Sequence, residues 1–451
     1  MVLPPGKYLL ENNTMTISQI PLPSTTLQIT PENSGQPVMT TQPVSRRHFV
    51  RTVMAASAAV ATASLVSRTR SSAAMRTQPP SATDTILGGF DVQSLKEAQA
   101  INAHAVRLIV PIVVLQKILP QAQQAQAGHA QWPWSLALMR ELHKAGIKTV
   151  VTFLWADWGK PMPIPGVKSP QGRQWLHVVR EFMDIMGDQL HYVTLDNEPL
   201  TFLSAVNWHQ STTGSIPVLE WYSAVAREIH KIRPALPISA PAINILPQVM
   251  ACNPSSVNWV KTCTGYTREL CAWTNRNSHI SALDLHMYVT DVAQMSRQLA
   301  FARTLTDKPF LSTEWSQSPV LNDWIKKPLD GHFATQWKQS ARQTNADYTL
   351  ACMQHPVALN QWNDFMATAP LSPTFMQQAW QLMCRNRVLL SAYSGGRQYK
   401  IMGHPARAAK YAKYALTMLY ANATVVPLHG QWQPNYKLVQ WFKAVARQDK
   451  A

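Results

Sequence analysis

Short apolar runs alternate with amphipathic segments along most of this chain, about eight times between residues 85 and 425. The runs are rich in Val, Ile and Leu, which is typical of parallel strands buried on both faces, and the segments between them place apolar residues at helical spacing. Each connection exceeds the dozen or so residues that parallel pairing requires. The predicted strands are 85–90, 105–110, 148–154, 191–200, 237–241, 281–288, 309–315 and 356–362.

The intervening helices complete an α/β pattern. They are predicted at 93–103, 134–145, 172–186, 219–232, 291–305, 335–353 and 405–420. Eight strands alternating with helices predict a (β/α)8 TIM barrel, formed as a single domain over residues 85–451. An open, doubly wound sheet is the alternative. It is disfavoured because Gly88-Gly89 lies within the first strand and lacks the remaining spacing of a phosphate-binding loop.

Composition is compatible with a globular protein and adds a charge constraint. The chain has 451 residues, is 46% hydrophobic and contains 16 Trp and 32 Pro. Its net charge is +17, and residues 1–74 hold only six basic and two acidic residues, so most of the excess belongs to the predicted domain. Such a charge could favour an acidic polysaccharide, a membrane surface or nucleic acid. Because no run of five basic residues occurs, nucleic acid is disfavoured, and a solvated basic surface is the simpler interpretation.

The five cysteines give a limited prediction. No CxxC pair or zinc-ligand spacing occurs among them, and three fall between residues 252 and 271. One local disulfide, Cys263–Cys271, is therefore a candidate in an oxidising compartment, and the odd count leaves at least one thiol outside any intrachain pair.

The N-terminal region resembles a twin-arginine export signal. Arg46-Arg47 and a nearby Phe49 precede a weakly hydrophobic, Ala-rich run at 52–66, and small residues follow at 71–74. The run is too short for a stable membrane span. We expect residues 1–38 to be disordered or a mis-annotated leader, with translation starting at Met39, a signal peptide at 39–74 and a linker at 75–84. The protein is then expected to be periplasmic or secreted and of bacterial origin. A chance arginine pair before a core helix is the alternative.

In a barrel the carboxyl ends of all strands meet at one mouth, where chemistry takes place. Strand four ends in Asn197-Glu198 and strand seven in Glu314-Trp315, so two glutamates 116 residues apart should face each other. Other polar and aromatic residues fall in or just after predicted strands: Arg107, Trp155, His286, Tyr288 and Trp362.

Two facing carboxylates with aromatic walls suit cleavage of a glycosidic bond. One carboxyl must remain protonated to donate to the departing oxygen, and the other must be ionised to attack the anomeric carbon. Repulsion between like charges raises one pKa, while arginine, tyrosine or histidine partners hold the other down. No HExxH motif, Asp/His metal cluster or GxSxG elbow occurs in the sequence, so no metal and no cofactor are predicted.

These motifs resemble a known group of enzymes. Leu195-Asp-Asn-Glu-Pro199 and Leu311-Ser-Thr-Glu-Trp315 are similar to the acid/base and nucleophile strands of the clan A glycoside hydrolases, which include family 5 cellulase-like and family 39-like enzymes. The resemblance extends to Arg107, to His286-Met-Tyr288 and to Trp362, and it covers about residues 85–425.

The resemblance implies a retaining hydrolase of β-linked glycans with Glu198 as general acid/base and Glu314 as nucleophile. It implies that Asn197 binds the sugar 2-hydroxyl, that Tyr288 orients Glu314, and that Arg107 and His286 tune the local charge. Trp362 would form the floor of the subsite, and Trp155 and Trp315 would add aromatic walls. Two alternatives share the barrel: a non-catalytic glycan-binding protein and a transglycosylase. The sugar, the linkage, endo or exo action and the oligomeric state stay open.

Overall fold

The computed structural model describes residues 85–90, 92–156, 163–199, 216–244, 257–398, 412–428 and 431–448. Within this part of the chain, parallel strands form a closed ring. The strands are β1 Ile86–Phe90, β2 Ala105–Pro111, β3 Lys148–Leu154, β4 Tyr192–Thr194, β5 Ile238–Ser239, β6 Ile243–Asn244, β7 Ile280–Tyr288, β8 Phe310–Ser316 and β9 Val388–Tyr393.

The ring runs in the order β5-β4-β3-β2-β1-β9-β8-β7 and closes because β5 pairs with β7. The short β6 pairs with β7 at Leu285 and His286, nearer the carboxyl end, so β5 and β6 share one position in the wall. The predicted (β/α)8 barrel is therefore confirmed. The predicted leader, signal peptide and linker at 1–84 lie outside the described residues.

Helices surround the ring. They are α1 Leu95–Ala100, α2 Ile112–Gln126, α3 Trp134–Lys144, α4 Pro170–Met186, α5 Pro217–Ile232, α6 Val257–Arg276, α7 Val292–Leu305, α8 Leu321–Trp324, α9 Gly331–Gln336, α10 Asn345–Gln354, α11 Leu359–Ala367, α12 Phe375–Arg385 and α13 Leu438–Gln448. Helix α2 was not predicted, and the single helix predicted at 335–353 is two helices, α9 and α10. Among the described helices, none combines the length and apolar character needed to cross a membrane.

The barrel interior is apolar in one layer and polar in the next. Side chains from six strands form an inner cluster: Ala105, Val150, Tyr192, Ala282, Leu311 and Leu390. Because side chains alternate across a strand, residues two positions further along lie on the same face. These are polar and buried in five of the six strands, namely Arg107, Thr152, Thr194, Asp284 and Thr313. The barrel interior therefore becomes polar toward the carboxyl end of the ring, where charged side chains can be accommodated.

The predicted eighth strand at 356–362 is wrong. Most of this run belongs to helix α11, and the barrel is completed by β9 at Val388–Tyr393. The helical spacing of Leu359, Trp362, Phe365 and Met366 explains the difference, because these residues lie on adjacent helical turns. The last three pack into a second hydrophobic cluster formed by the long β8–β9 connection and residues 412–425.

The predicted Cys263–Cys271 disulfide is also wrong. Both residues belong to helix α6, where eight positions correspond to a rise of about 12 Å. A disulfide spans Cα atoms only about 4.4–6.8 Å apart. Cys271 is a buried free thiol, and burial raises its pKa to about 12.

Candidate active site

A β-bulge in β8 directs two consecutive side chains toward β7. Between Leu311 and Glu314, β8 contains one residue more than β7 opposite it, and its pairing with β9 is irregular over the same stretch. In a regular strand, neighbouring side chains point to opposite faces, so an extra residue breaks the alternation. Both Thr313 and Glu314 consequently bond to side chains of β7. The motif Ser-Thr-Glu-Trp gave no sign of this bulge.

The carboxylate of Glu314 is held from two sides. The buried guanidinium of Arg107 forms an ion pair with Oε1, and the hydroxyl of Tyr288 donates to Oε2. Burial on its own would raise the pKa of Glu314, but the positive charges of His286 and Arg107 and the hydrogen bonds from Tyr288 and Arg107 outweigh it and lower the pKa. An ionised, oriented carboxylate is the form required of a nucleophile.

Arg107 also organises its other neighbours. Its Nε donates to Thr152 Oγ1 (2.9 Å) and its Nη2 donates to Asn197 Oδ1 (2.6 Å). A guanidinium can only donate, so the amide oxygen of Asn197 must face it. The amide NH₂ of Asn197 is thus the end of the side chain that faces away from Arg107.

The chain leaves the barrel wall at Glu198 in a strained conformation. Strand β4 ends at Thr194, an isolated bridge pairs Asn197 with Ala242, and the Glu198 N–H donates to the Ala242 carbonyl (3.0 Å). The φ angle of Glu198 is +45°, which non-glycine residues rarely adopt. Such strain is tolerated where the surroundings fix the backbone, and it is common at functional sites.

Glu198 and Glu314 meet around His286. His286 Nδ1 lies 2.7 Å from Glu198 Oε1 and 3.7 Å from Glu314 Oε2. A carboxylate oxygen from each glutamate and a ring nitrogen of His286 all lie within 4.8 Å of one another. The side chains of Glu198 and Glu314 are 13% and 8% exposed, so both retain some access to solvent while the imidazole is fully buried. The predicted convergence of the two carboxylates is confirmed.

The two carboxylates affect the imidazole between them. Burial would lower the pKa of His286, but the negative charge of Glu314 and the hydrogen bond to Glu198 more than compensate, so the pKa is raised. The imidazolium form therefore persists to higher pH than in a free histidine.

The same three side chains carry donor atoms of the kind that bind metals. Their partners oppose a cation, however. Both oxygens of Glu314 are occupied by Arg107 and Tyr288, and Nδ1 of His286 is occupied by Glu198. A guanidinium next to a ligand carboxylate repels a metal ion. The arrangement is better suited to proton transfer than to metal binding.

Sequence inspection missed three polar residues of this site. Ser394 follows β9, and its Oγ lies 3.0 Å from the hydroxyl of Tyr288. Because the Tyr288 proton is donated to Glu314, the tyrosine oxygen accepts from Ser394. Asp284 and Thr313 form a buried pair behind His286. The Asp-Leu-His spacing, which places Asp284 two residues before His286 on one face of β7, could have indicated Asp284; Ser394 required the correct eighth strand.

The three tryptophans predicted to bind substrate do not lie at the mouth. Trp155 is fully buried and packs between Trp175 and Trp221. Trp315 is fully buried and contacts Phe375 of α12, and Trp362 lies on α11 with its indole N–H donated to Asn435. A ring with no exposed face cannot stack on a sugar, so these assignments are wrong. Partly exposed aromatic rings near Glu314 are those of Tyr288 and Tyr414, which contact each other edge to face.

A second buried carboxyl supports the site from behind. Asp196 accepts hydrogen bonds from the Tyr222 hydroxyl on α5 (2.6 Å) and from the Asn197 N–H (2.8 Å). Burial raises the pKa of Asp196 to about 8, although these hydrogen bonds act in the opposite direction. The carboxyl anchors the start of the Asn197-Glu198 turn to helix α5.

This pKa predicts how stability depends on pH. An unfolded aspartate loses its proton near pH 4, whereas folded Asp196 keeps it to about pH 8, so the folded state binds more protons between these values. Stability should therefore fall as pH rises through this window, by up to about 1.4 kcal/mol per pH unit. Asp196→Asn is expected to remove this contribution. Urea unfolding at pH 5 and pH 8 gives the free energy of unfolding of both proteins. We expect the variant to gain stability relative to the parent at pH 8, and an equal change with pH in the two proteins would contradict the assignment.

Comparisons with known proteins give fold-level similarity. No protein-family model matches this chain, and no curated protein matches it. Among solved structures, it is similar to a GH53 catalytic domain from Ignisphaera aggregans (TM-score 0.44, 11% identity, 80% of this chain and 96% of that one). It is also similar to a glucosidase from Croceicoccus marinus (0.46, 11%, 82% and 69%) and a β-glucosidase from Exiguobacterium marinum (0.44, 10%, 82% and 98%).

Proposed function

We propose that this protein is a retaining glycoside hydrolase that cleaves β-linked glycans. The observation that carries the proposal is the pair Glu198 and Glu314, whose carboxylates approach within 4.8 Å at the carboxyl end of the barrel but have different partners. Retaining glycosidases need carboxyl groups only about 5–5.5 Å apart, while inverting enzymes separate them by roughly 6.5–9.5 Å to admit a water molecule. An oxygen of each carboxylate within 4.8 Å of an oxygen of the other is compatible with the shorter of these spacings and supports double displacement.

The partners divide the two roles. Glu314 is bound to a guanidinium and a phenol, which keep it ionised and aim it as the nucleophile. Glu198 is the more exposed carboxyl and hydrogen-bonds to His286, so it can exchange a proton with the leaving oxygen and then with water. Two carboxyls with opposed environments are the usual arrangement for acid and nucleophile in one site.

The reaction would proceed in two steps. Protonated Glu198 donates to the glycosidic oxygen while Glu314 attacks the anomeric carbon, which forms a glycosyl ester and releases the first sugar. Glu198, now a carboxylate, then removes a proton from water, and the resulting attack frees the second sugar and Glu314. Asn197, whose amide NH₂ faces away from Arg107, would donate to the 2-hydroxyl.

A glycan panel tests this proposal. Purified protein is incubated with β-glucan, mannan, xylan and a bacterial exopolysaccharide, and the first product of the cleaved glycan is examined by proton NMR before mutarotation. We expect release of the β-anomer. Release of the α-anomer would contradict double displacement, and tight binding of a glycan without turnover would contradict an enzyme altogether.

Charge and the N-terminal sequence extend the proposal. We propose that the protein acts outside the cytoplasm after twin-arginine export, because Arg46-Arg47 precedes an Ala-rich run. Residues 75–451 carry 35 basic and 22 acidic residues, a net charge of +13, which favours an anionic or mixed exopolysaccharide over a neutral glucan. A reporter fused after residue 74 should leave the cytoplasm, and replacement of both arginines by lysine should retain it there. Within the panel, faster cleavage of neutral than of anionic glycans would contradict the preference.

A further inference from the structure

A chain of buried hydrogen bonds extends behind His286, away from the mouth. His286 Nε2 lies 3.2 Å from Thr313 Oγ1, and the Thr313 hydroxyl lies 2.6 Å from Asp284 Oδ2. All three residues are fully buried. None of the three side chains is exposed to solvent, so this chain of hydrogen bonds can act on the site only through the imidazole.

The donors converging on Asp284 fix the direction of these bonds. Its Oδ1 accepts the backbone N–H of Thr313 (3.0 Å), and its Oδ2 accepts from the hydroxyls of Thr313 and Thr194 (2.6 and 3.2 Å). A hydroxyl has a single proton, and that of Thr313 is used on Asp284. Toward His286, Thr313 can therefore only accept, so Nε2 must carry a proton.

We propose that Asp284 and Thr313 are positioning residues that hold a proton on Nε2 of His286, so that Nδ1, which hydrogen-bonds to Glu198, is the ring atom that gains or loses a proton. This inference rests on the proposed function of Glu198 as acid/base. Nε2 then carries a fixed proton, and Nδ1 faces the carboxyl of Glu198.

A proton held on Nε2 of His286 determines which oxygen of Glu198 reacts. With Nε2 protonated, the 2.7 Å contact between Nδ1 and Glu198 Oε1 contains one shared proton. When His286 is an imidazolium, Nδ1 donates to Oε1 in both protonation states of Glu198. The second oxygen, Oε2, is then the atom that gives its proton to the leaving group and later takes one from water.

Several charged and titratable groups of the described elements face His286. Arg107 faces it from β2, Glu198 from beyond β4 and Glu314 from β8, while Asp284 and Tyr288 lie on its own strand β7. The residues of β6 that pair with this part of β7, Ile243 and Asn244, carry no ionisable group. The carboxylates stabilise the imidazolium, and Arg107 opposes it.

One variant interrupts the chain of hydrogen bonds, a second restores it, and a third serves as a matched control. Thr313→Val preserves side-chain shape but removes the acceptor for Nε2–H. Thr313→Ser retains the hydroxyl. Thr194→Val removes the other hydroxyl on the same Asp284 oxygen without touching His286, and so it controls for the loss of a buried hydrogen bond to Asp284.

We expect Thr313→Val to weaken the imidazolium and to move the alkaline limb of the pH–rate profile to lower pH by about one unit, a tenfold change in the proton equilibrium. Thr313→Ser should restore the parent profile, and Thr194→Val should keep it. Equal alkaline limbs in the parent and Thr313→Val, or an equal shift in Thr194→Val, would overturn the proposal, since neither agrees with an effect through His286.

Ring ¹⁵N NMR of the full chain labelled at histidine gives a readout that does not depend on glycan turnover. His286 is assigned as the signal absent from His286→Gln. Once the ring is neutral, we expect the Nε2–H tautomer in the parent and a loss of that preference in Asp284→Asn, whose amide can reverse the bond to Thr313. An Nδ1–H tautomer in the parent would overturn the proposal. If the Nε2–H tautomer were found in a protein that cleaves no glycan, the proposed function would fail while the tautomer assignment stood.

Discussion

Glu314→Ala is expected to lower kcat on every hydrolysed glycan by a factor on the order of 10⁵, because removal of a catalytic nucleophile eliminates the covalent route. The residual rate should come from substrate binding and from proton donation by Glu198. Initial rates measured at saturating substrate, on the glycan that the parent cleaves best, test this. Undiminished hydrolysis would rule out the role of Glu314.

The same variant needs a control for folding, since Arg107 loses its buried ion-pair partner. Removing one partner of a buried pair can cost about 3–5 kcal/mol of stability. Added azide separates the two explanations, because it can attack the anomeric carbon directly in the space left by the carboxylate. A folded Glu314→Ala protein should form the α-glycosyl azide from an activated β-glycoside, whereas an unfolded protein should form none. Glu228→Ala, which removes a partly exposed glutamate on α5 paired with Arg180 and Lys231, should retain parental activity.

Glu198→Ala is expected to have the second-largest effect, and the size should depend on the leaving group. General acid–base catalysis contributes about 10²–10⁴-fold, so hydrolysis of natural glycans should fall by that factor. A dinitrophenyl glycoside needs no proton on its leaving oxygen, so its first step should remain fast while the glycosyl ester on Glu314 accumulates. Stopped-flow measurements should then show a burst of phenolate followed by slow turnover.

Azide again gives the diagnostic product. In Glu198→Ala it should react with the glycosyl ester without base assistance and yield the β-glycosyl azide, the opposite anomer from that expected with Glu314→Ala. A uniform loss of rate across all leaving groups, with no burst and no azide product, would mean that Glu198 is not the acid/base.

Much of the site could be predicted because it depends on strand ends. Asn197, Glu198 and Glu314 are polar residues that follow or end apolar runs, and the topology of a parallel barrel brings such positions to one mouth. Arg107 and His286 were identifiable for a related reason. Charged side chains are rarely found inside buried strands unless they are paired, and each of these is paired with one of the two glutamates, Glu314 or Glu198.

Other features depend on contacts that no local pattern encodes. The β8 bulge depends on how β8 pairs with β7 and β9 on its two sides, so Thr313 could not be placed from sequence. The run 356–362 was short, apolar and bounded by proline, and such runs do not distinguish a strand from a buried helix segment. Because the eighth strand was misplaced, Trp362 was assigned to the predicted site and Ser394 was not.

Aromatic content was also misleading. Tryptophans next to strand ends were expected to line a sugar-binding cleft, but Trp155 and Trp315 pack outward against the surrounding helices. Large aromatic rings bury more apolar surface than any other side chain, so packing between the barrel and its helices is their more general use. The partners of Glu314 show instead that this site is defined by its polar contacts.

The central claim is that Glu314 attacks an anomeric carbon while Glu198 assists, and covalent trapping tests it most directly. The parent protein is treated with 2-deoxy-2-fluoro β-glycosides of the hydrolysed sugar carrying a dinitrophenolate leaving group, and then digested and mapped by mass spectrometry. We predict one added fluoroglycosyl group, attached to the peptide that contains Leu311-Ser-Thr-Glu-Trp315 at Glu314. Attachment to a different residue, or turnover with inversion and no trapped ester, would contradict the mechanism.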